Sequence, residues 1–269
     1  MHASSLGTLQ KTPAFGKGPS KSSLAGIEVR QGPYQARFVS CKTDLLAALR
    51  LRFEVFNLEL NEGLKSAFRT GHDVDEFDEV CDHLIVEHTA TGRIVGTYRL
   101  QTGTTARNGA GFYSQREFDF APYERLRTEL IELGRACIHR EHRSTDVLYL
   151  LWRGIAQYAL LHGARYLIGC SSLTSQDPAH GTAVYQALFE CISDVELRTS
   201  PQPQCAMPLV APNGASNKIP KLLRTYLAIG AKICGPPAID REFKTIDFLT
   251  LLDLQGLHPR IRARFLERG

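Results

Sequence analysis

No stretch of this chain approaches the roughly 18 consecutive apolar residues that a membrane-spanning helix requires, so no helix is expected to cross a bilayer. Cys-x-x-Cys pairs are also missing. The seven cysteines, at positions 41, 81, 137, 170, 191, 205 and 234, are odd in number and scattered, which reads as free thiols in a reducing compartment rather than a disulfide scaffold or a zinc ribbon. Neither the Rossmann nor the Walker glycine pattern occurs, and no Gly-x-Ser-x-Gly elbow marks a serine nucleophile. The acidic stretch from Asp73 to Asp82 lacks the alternating oxygen ligands and central glycine of a calcium loop, so no metal is expected. A net charge of +4 on 269 residues is too small an excess to imply nucleic acid, although it suits an anionic substrate, an acidic carrier protein or an anionic membrane surface. The N-terminus carries Lys11, Lys17 and Lys21 but no apolar core of a signal peptide. A cytoplasmic location is expected, with peripheral contact at the inner membrane left open.

What is present is an ordinary globular composition, 43% hydrophobic and 22% charged. Residues 1–25, rich in Ser, Gly, Lys and Pro, read as a flexible tail, and 26–269 as a single domain. Alternation predicts a strand near Tyr34–Ser40. Helical spacing of Leu45, Leu46, Leu49, Phe53 and Phe56 predicts a helix that also carries Arg50 and Arg52. His83–Glu87 and Arg93–Leu100 read as a hairpin, Glu129 onward as a strand, Leu150–Leu161 as a buried helix, Arg165–Ser171 as a strand and Thr182–Cys191 as a helix. A Pro-rich surface excursion over 198–217, a helix over Ile219–Ile229 and a strand over Ile246–Leu254 complete the order. Strands and helices so mixed predict an α/β fold, a sheet with helices on both faces.

The chemistry concentrates between Glu129 and Leu161. Glu132 and Arg135 place opposite charges inside the apolar run ELIELGRACI. Strict alternation puts Glu132 and Gly134 on one face with Leu130, and Arg135 on the other with Ile131, Leu133 and Cys137. A buried carboxylate has its ionised form disfavoured, which suits a general base taking a proton from an amine. An internal ion pair serving only the fold explains the same residues. Gly134 between them marks a bulge or a close backbone approach to a ligand, and a bulge can present an N–H to an oxyanion. Asp75 and Asp78 in the long acidic loop read as partners for Arg52 and Arg99 or for a substrate ammonium, beside the simpler reading of a solvated loop. His139, in the turn HREHRSTD, reads as a contact for an anionic donor or as a solvated loop histidine.

LRFEVFNLEL (51–60), DEFDEVCDHLIV (75–86), GTYRL (96–100), ELGRACIHREHR (132–143) and LLWRGIAQYAL (150–160) resemble, in order and spacing, the bacterial acyltransferases that N-acylate ornithine for ornithine lipid synthesis. YLIGCSS (166–172), KLLRTYLAIGA (221–231) and DREFKTIDFL (240–249) extend the resemblance over roughly residues 34–260. The resemblance implies a GNAT-like, largely antiparallel mixed sheet, akin to that of acyl-homoserine-lactone synthases and N-acyl amino acid synthases. Relative to the lactone synthases, Glu-x-Ser-Arg has become Glu132-Leu133-Gly134-Arg135, which favours the ornithine branch.

The resemblance further implies Glu132, Gly134 and Arg135 at the chemical step, and Arg52, Asp75, Asp78 and Arg99 around the acceptor. His139, Arg140, Arg143 and Arg153 are implied on the donor side, with Phe56, Trp152 and Cys170 along the acyl chain. No glycine lies between Gly134 and Gly154 to cradle a coenzyme A pyrophosphate. The expected donor is therefore the phosphopantetheine arm of an acyl carrier protein carrying a long, 3-hydroxylated chain, with no tightly bound cofactor. Another amino acid or amine as acceptor, lactone synthesis, and a catalytically silent binding module for acyl chains or carrier protein are the competing expectations.

Overall fold

The computed structural model describes residues 24–266, so most of the predicted N-terminal tail lies outside the described residues. Nine strands form one sheet: β1 Glu28–Gln31, β2 Tyr34–Phe38, β3 Asp82–His88, β4 Arg93–Thr102, β5 Leu130–Ile138, β6 Tyr166–Leu173, β7 Lys232–Ile233, β8 Ala238–Asp240 and β9 Thr245–Asp253. Their spatial order is β1-β2-β3-β4-β5-β6-β9-β7, with β8 also on β9. Every neighbouring pair is antiparallel except β5 and β6. A parallel pair needs a crossover, and the helix α4, Thr145–Leu161, supplies it. Ser144 caps α4 by accepting the Val147 N–H, and its buried stripe of Val147, Leu151, Ile155, Tyr158 and Ala159 packs with Leu84, Val86, Val95 and Ile131 of the sheet.

On the opposite face, α1 (Lys42–Arg52) sets Ala48 and Leu51 against Ile85, Ile94 and Cys137. It runs directly into a π-helical segment, Phe53–Glu59, where the Leu60 N–H bonds back five residues to Val55 O at 3.0 Å. Such insertions recur at functional sites, and Arg52 stands at the junction. Two one-turn helices follow, α2 (Ala67–Thr70) in the acidic loop and α3 (Gly103–Asn108) after β4. Two more helices, α5 (Pro178–Ala187) and α6 (Lys221–Ala228), cover the β6 and β9 end through Val184 and Leu223 against Ile246 and Phe248. A short α7, Pro259–Phe265, ends the described chain.

The predicted strands, hairpin and α4 are all present. The helix predicted over Thr182–Cys191 starts four residues earlier, because Asp177 caps it and Pro178 occupies its first turn. The strands β1, β7 and β8 and the helices α2, α3 and α7 were not predicted. Each is seven residues or fewer, too short to display a period. No helix among the described residues is long and apolar enough to cross a membrane.

Candidate active site

β5 and β6 pair only through Leu130, Ile131 and Glu132, opposite Tyr166, Leu167 and Ile168. Beyond Glu132 the two strands separate. Gly169 is needed at this fork, since a Cβ there would stand 2.2 Å from the Leu133 carbonyl oxygen. On the other edge of β5, Gly134 registers with Arg99 and Cys137 with Thr97. Three steps on β5 against two on β4 define a bulge, which holds Arg135 at φ +51°.

The bulge overturns the predicted division of faces. Ile131, Leu133 and Ala136 pack together on the α4 side, whereas Arg135 lies on the same side as Glu132, its guanidinium over the Tyr113 and Phe243 rings at 4.8 and 4.1 Å. One extra residue reverses the alternation after Gly134, which strict two-residue parity cannot anticipate. The space around a Cβ at Gly134 is empty to 4 Å, so this glycine faces the open fork.

Glu132 is buried, 6% exposed. Its carboxylate sits on the first turn of a 3-10 helix, Tyr113–Arg116, accepting the Tyr113 and Ser114 N–H groups at 2.8 Å each and the Ser114 hydroxyl. Burial raises its pKa above the ordinary carboxylate value, and the Ser114 and Tyr113 donors oppose that rise. The result is a carboxylate fixed in place yet more basic than a solvated one. Oε2 carries a single backbone donor, which leaves it acceptor capacity.

Beside it, three arginines and three aspartates interlock. Arg52, wholly buried, donates to Asp73 at 2.8 Å and to both oxygens of Asp78 at 2.6 and 3.2 Å. Arg99 reaches Asp75 at 2.5 Å and Asp78 at 3.1 Å, and Arg135 reaches Asp75 at 2.7 Å. Asp75 and Asp78 also close a capping box on the 3-10 turn Glu76–Glu79. Burial resists ionisation of Asp78, but Arg52 and Arg99 hold its pKa below the usual range. The four residues expected around the acceptor thus meet, and Arg135 joins them. Every oxygen of Asp75 and Asp78 already has a donor.

A cavity of about 240 Å³ opens at the fork. Its apolar end is lined by Leu133, Ala136, Trp152, Leu167, Leu223 and Tyr226, and its polar end by Glu132, Arg135, Tyr113, Asp240 and Asp247. Phe56, Trp152 and Cys170, the three residues expected along an acyl chain, all line this cavity, and the Cys170 Sγ is 3.7 Å from Glu117. Burial and the neighbouring carboxylates push the Cys170 thiol well up, so it is no nucleophile at neutral pH.

Three of the donor-side residues, His139, Arg140 and Arg143, share the turn after β5, and Arg153 lies on α4. Arg140 is exposed. Arg143 pairs with Glu59 at 2.7 Å, Arg153 donates to the carbonyls of Arg264 and Phe265, and His139 caps the turn Arg140–His142. Sequence reasoning missed Ser114, Glu117, Asp240 and Asp247. Asp247 carried the signal used for Glu132, a lone charge within an apolar strand.

Residues 51–153 match the acetyltransferase (GNAT) domain family. Among solved structures, the chain is similar to an N-acyl amino acid synthase from uncultured soil microbes (TM-score 0.51, 13% identity, 83% of this chain and 92% of that one). It is likewise similar to a CoA-dependent acyl-homoserine lactone synthase (TM-score 0.50, 15% identity, 85% and 84%). At such identity these share the fold. Among curated proteins, the L-ornithine N(alpha)-acyltransferase of Brucella abortus is 33% identical over 86% of this chain and 88% of its own length. That of Agrobacterium fabrum is 33% identical over 87% and 86%. A buried carboxylate at a strand fork, on a GNAT sheet and with this identity along nearly the whole length, leads to one assignment: the chain belongs to the L-ornithine N(alpha)-acyltransferase family.

Proposed function

We propose that this protein transfers a long-chain, 3-hydroxylated acyl group from the phosphopantetheine thiol of an acyl carrier protein to the α-amine of ornithine. The observation that carries the proposal is Glu132, a buried and basic carboxylate fixed at the fork of β5 and β6, on the wall between an apolar and an acidic end of one cavity. The acceptor comes from the named activity of the relatives.

The separated edges of β5 and β6 offer unpaired backbone to the amides of a pantetheine arm, which docks there as an added strand would. The thioester carbonyl then lies by the bulge, where a main-chain N–H of Arg135 or Ala136 receives the oxyanion. The incoming ammonium first loses a proton to Glu132, directly or through water. Its nitrogen attacks the carbonyl carbon, the C–N bond forms and the C–S bond breaks. The thiolate leaves with one proton, the second amine proton passes to Glu132 and on to solvent, and no covalent enzyme intermediate is needed. The apolar end, from Leu133 to Trp152 and Tyr226, takes the acyl chain.

The three-arginine, three-aspartate network is matched within itself, so its role is to hold the acidic loop and the bulge rather than to bind the acceptor's ammonium. For the donor, the turn from His139 to Ser144 lacks the glycines that would let backbone N–H groups surround a pyrophosphate, and exposed Arg140 suits an acidic carrier surface.

The test incubates purified protein with ornithine and either 3-hydroxyacyl carrier protein or 3-hydroxyacyl-CoA and reads products by mass spectrometry. Nα-acylornithine from the carrier, at a kcat/KM at least tenfold above that from CoA, is the expected result. No acylated amine from either donor overturns the enzyme reading, and equal use of CoA overturns the donor.

A further inference from the structure

The fork cavity, lined by Asp240 and Asp247, adjoins a second pocket that shares Asp240 and Tyr113 with it and is lined by Glu117, and the charge gathered there has no use in the acyl-transfer step. Glu117, Asp240 and Asp247 are 4%, 9% and 3% exposed, and none has an ion-pair partner among the described residues. Glu117 Oε1 and Asp247 Oδ1 are buried without any hydrogen-bond partner. Carboxylate oxygens of Glu117 and Asp247 and the Cys170 sulfur all lie within 4.8 Å of one another. Asp240 accepts the Tyr113 hydroxyl at 3.2 Å and the Glu242 and Phe243 N–H groups at 2.8 and 2.9 Å, Thr245 donates to Asp247 at 3.4 Å, and the Cys170 thiol donates to Glu117 at 3.7 Å. Those neutral donors leave the accumulated charge unbalanced. Burial, with Asp240 alongside, pushes Asp247 up to about 6 and Glu117 well above the carboxylate range, as expected when two buried carboxylates must share a proton. Arginine is close by in Arg135, but that guanidinium turns to Asp73 and Asp75.

We propose that Glu117, Asp240 and Asp247 form a subsite for the side-chain ammonium of the acceptor, so that the enzyme selects diamino acids over neutral ones. The proposal deepens the acyltransferase reading above and rests on it for the acceptor's place in the cavity. An alkylammonium brings up to three N–H donors and one positive charge, which matches the unpartnered oxygens and replaces the shared proton. The segment Tyr113–Glu117 joins the two functions, since Tyr113 and Ser114 hold Glu132 and Glu117 follows three residues later. An acceptor with one amine at Glu132 has its aliphatic chain directed along the same wall towards Asp247. The distal nitrogen, kept as an ammonium among carboxylates, is not a nucleophile, so acylation falls on the α-amine. A divalent metal on the Glu117, Cys170 and Asp247 atoms is the competing occupant, and the binding test separates it.

Binding is measured by calorimetry on the EDTA-treated full-length protein without acyl donor. Ornithine is compared with norvaline, which has the same carbon chain but no side-chain amine, for the wild type, Asp247→Asn and Glu117→Gln. The expected preference of the wild type for ornithine is roughly 100-fold, the scale at which a buried polar site rejects an analogue that leaves it unpaired. Either variant should reduce the preference below about tenfold, by weakening ornithine rather than norvaline. Both replacements are near-isosteric and relieve like-charge repulsion, so a cooperative thermal melt for at least one is expected and qualifies it for the comparison. Equal binding of the two amino acids by the wild type, no binding of either, or a preference that survives both substitutions overturns the subsite. Micromolar binding of Zn2+ or Mg2+ that both variants abolish, with the ornithine preference intact, makes the cluster a metal site and also overturns it. A variant-sensitive ornithine preference in a protein that acylates no amine leaves the subsite standing and removes the enzyme reading instead.

Discussion

Replacing Arg52 by leucine removes the guanidinium that bridges the two halves of the acidic loop. The wild-type side chain is fully buried and makes three hydrogen bonds to two carboxylates, Asp73 and Asp78. Asp78 keeps Arg99, but Asp73 is left with Arg135 at 3.4 Å and already has one oxygen without a partner. Breaking a buried ion pair from one side costs about 3–5 kcal/mol, which in a domain of this size lowers Tm by roughly 6–20 °C. The sign of the pH dependence follows from Asp78. Its folded pKa is depressed in the wild type, so its contribution is present above the ordinary carboxylate pKa and is lost as pH falls through the folded value. Without Arg52 the pKa of Asp78 rises, and that group can neutralise itself in mild acid. The deficit is therefore larger at pH 8 than at pH 5. Urea denaturation at both pH values, with Asp73→Asn and the double variant completing a cycle, measures it. A loss below about 1 kcal/mol at pH 8, or a pH trend of opposite sign, refutes the account of the network.

Two further substitutions probe the fork. Ser114→Ala removes a hydroxyl that stabilises the Glu132 anion, so the Glu132 pKa rises further. The acidic limb of kcat/KM, along which the rate climbs as the base deprotonates, should move to higher pH by up to about one unit; a limb that stays in place removes Glu132 as its origin. Gly169→Ala drives a methyl group against the Leu133 carbonyl. It should cost about 1–3 kcal/mol by thermal melting and slow acyl transfer by misplacing Glu132, whereas an unchanged Tm would mean that the strands separate freely.

Most of the sheet was legible because its central strands are long and apolar on both faces, as at His83–Glu87 and Ile246–Leu254, and because α4 carries nearly two turns of buried stripe on each side of Trp152. Glu132 was legible for the opposite reason, as a charge where periodicity predicts burial. The position of Arg135 was not, since the bulge that re-aims it arises from pairing with β4 across more than thirty residues of chain. Ser114 and Glu117 lie in a polar connection without periodicity, and only the tertiary fold brings them to Glu132 and Asp247. Asp75 and Asp78 were found by pattern, but the arginine that joins Arg52 and Arg99 on them, Arg135, was not, because it reaches Asp75 only through the bulge.

The central claim is that Glu132 acts as the base of an amine acylation. A single-turnover assay of Glu132→Gln, with 3-hydroxyacyl carrier protein and saturating ornithine, addresses it directly. Glutamine keeps its carbonyl oxygen for the Ser114 donors and turns its NH2 group toward the Tyr113 N–H, so one hydrogen bond is lost while the side-chain volume is kept. The account predicts that Nα-acylornithine formation falls by at least about 100-fold while the thermal melt stays cooperative; a rate within threefold of the wild type would contradict it.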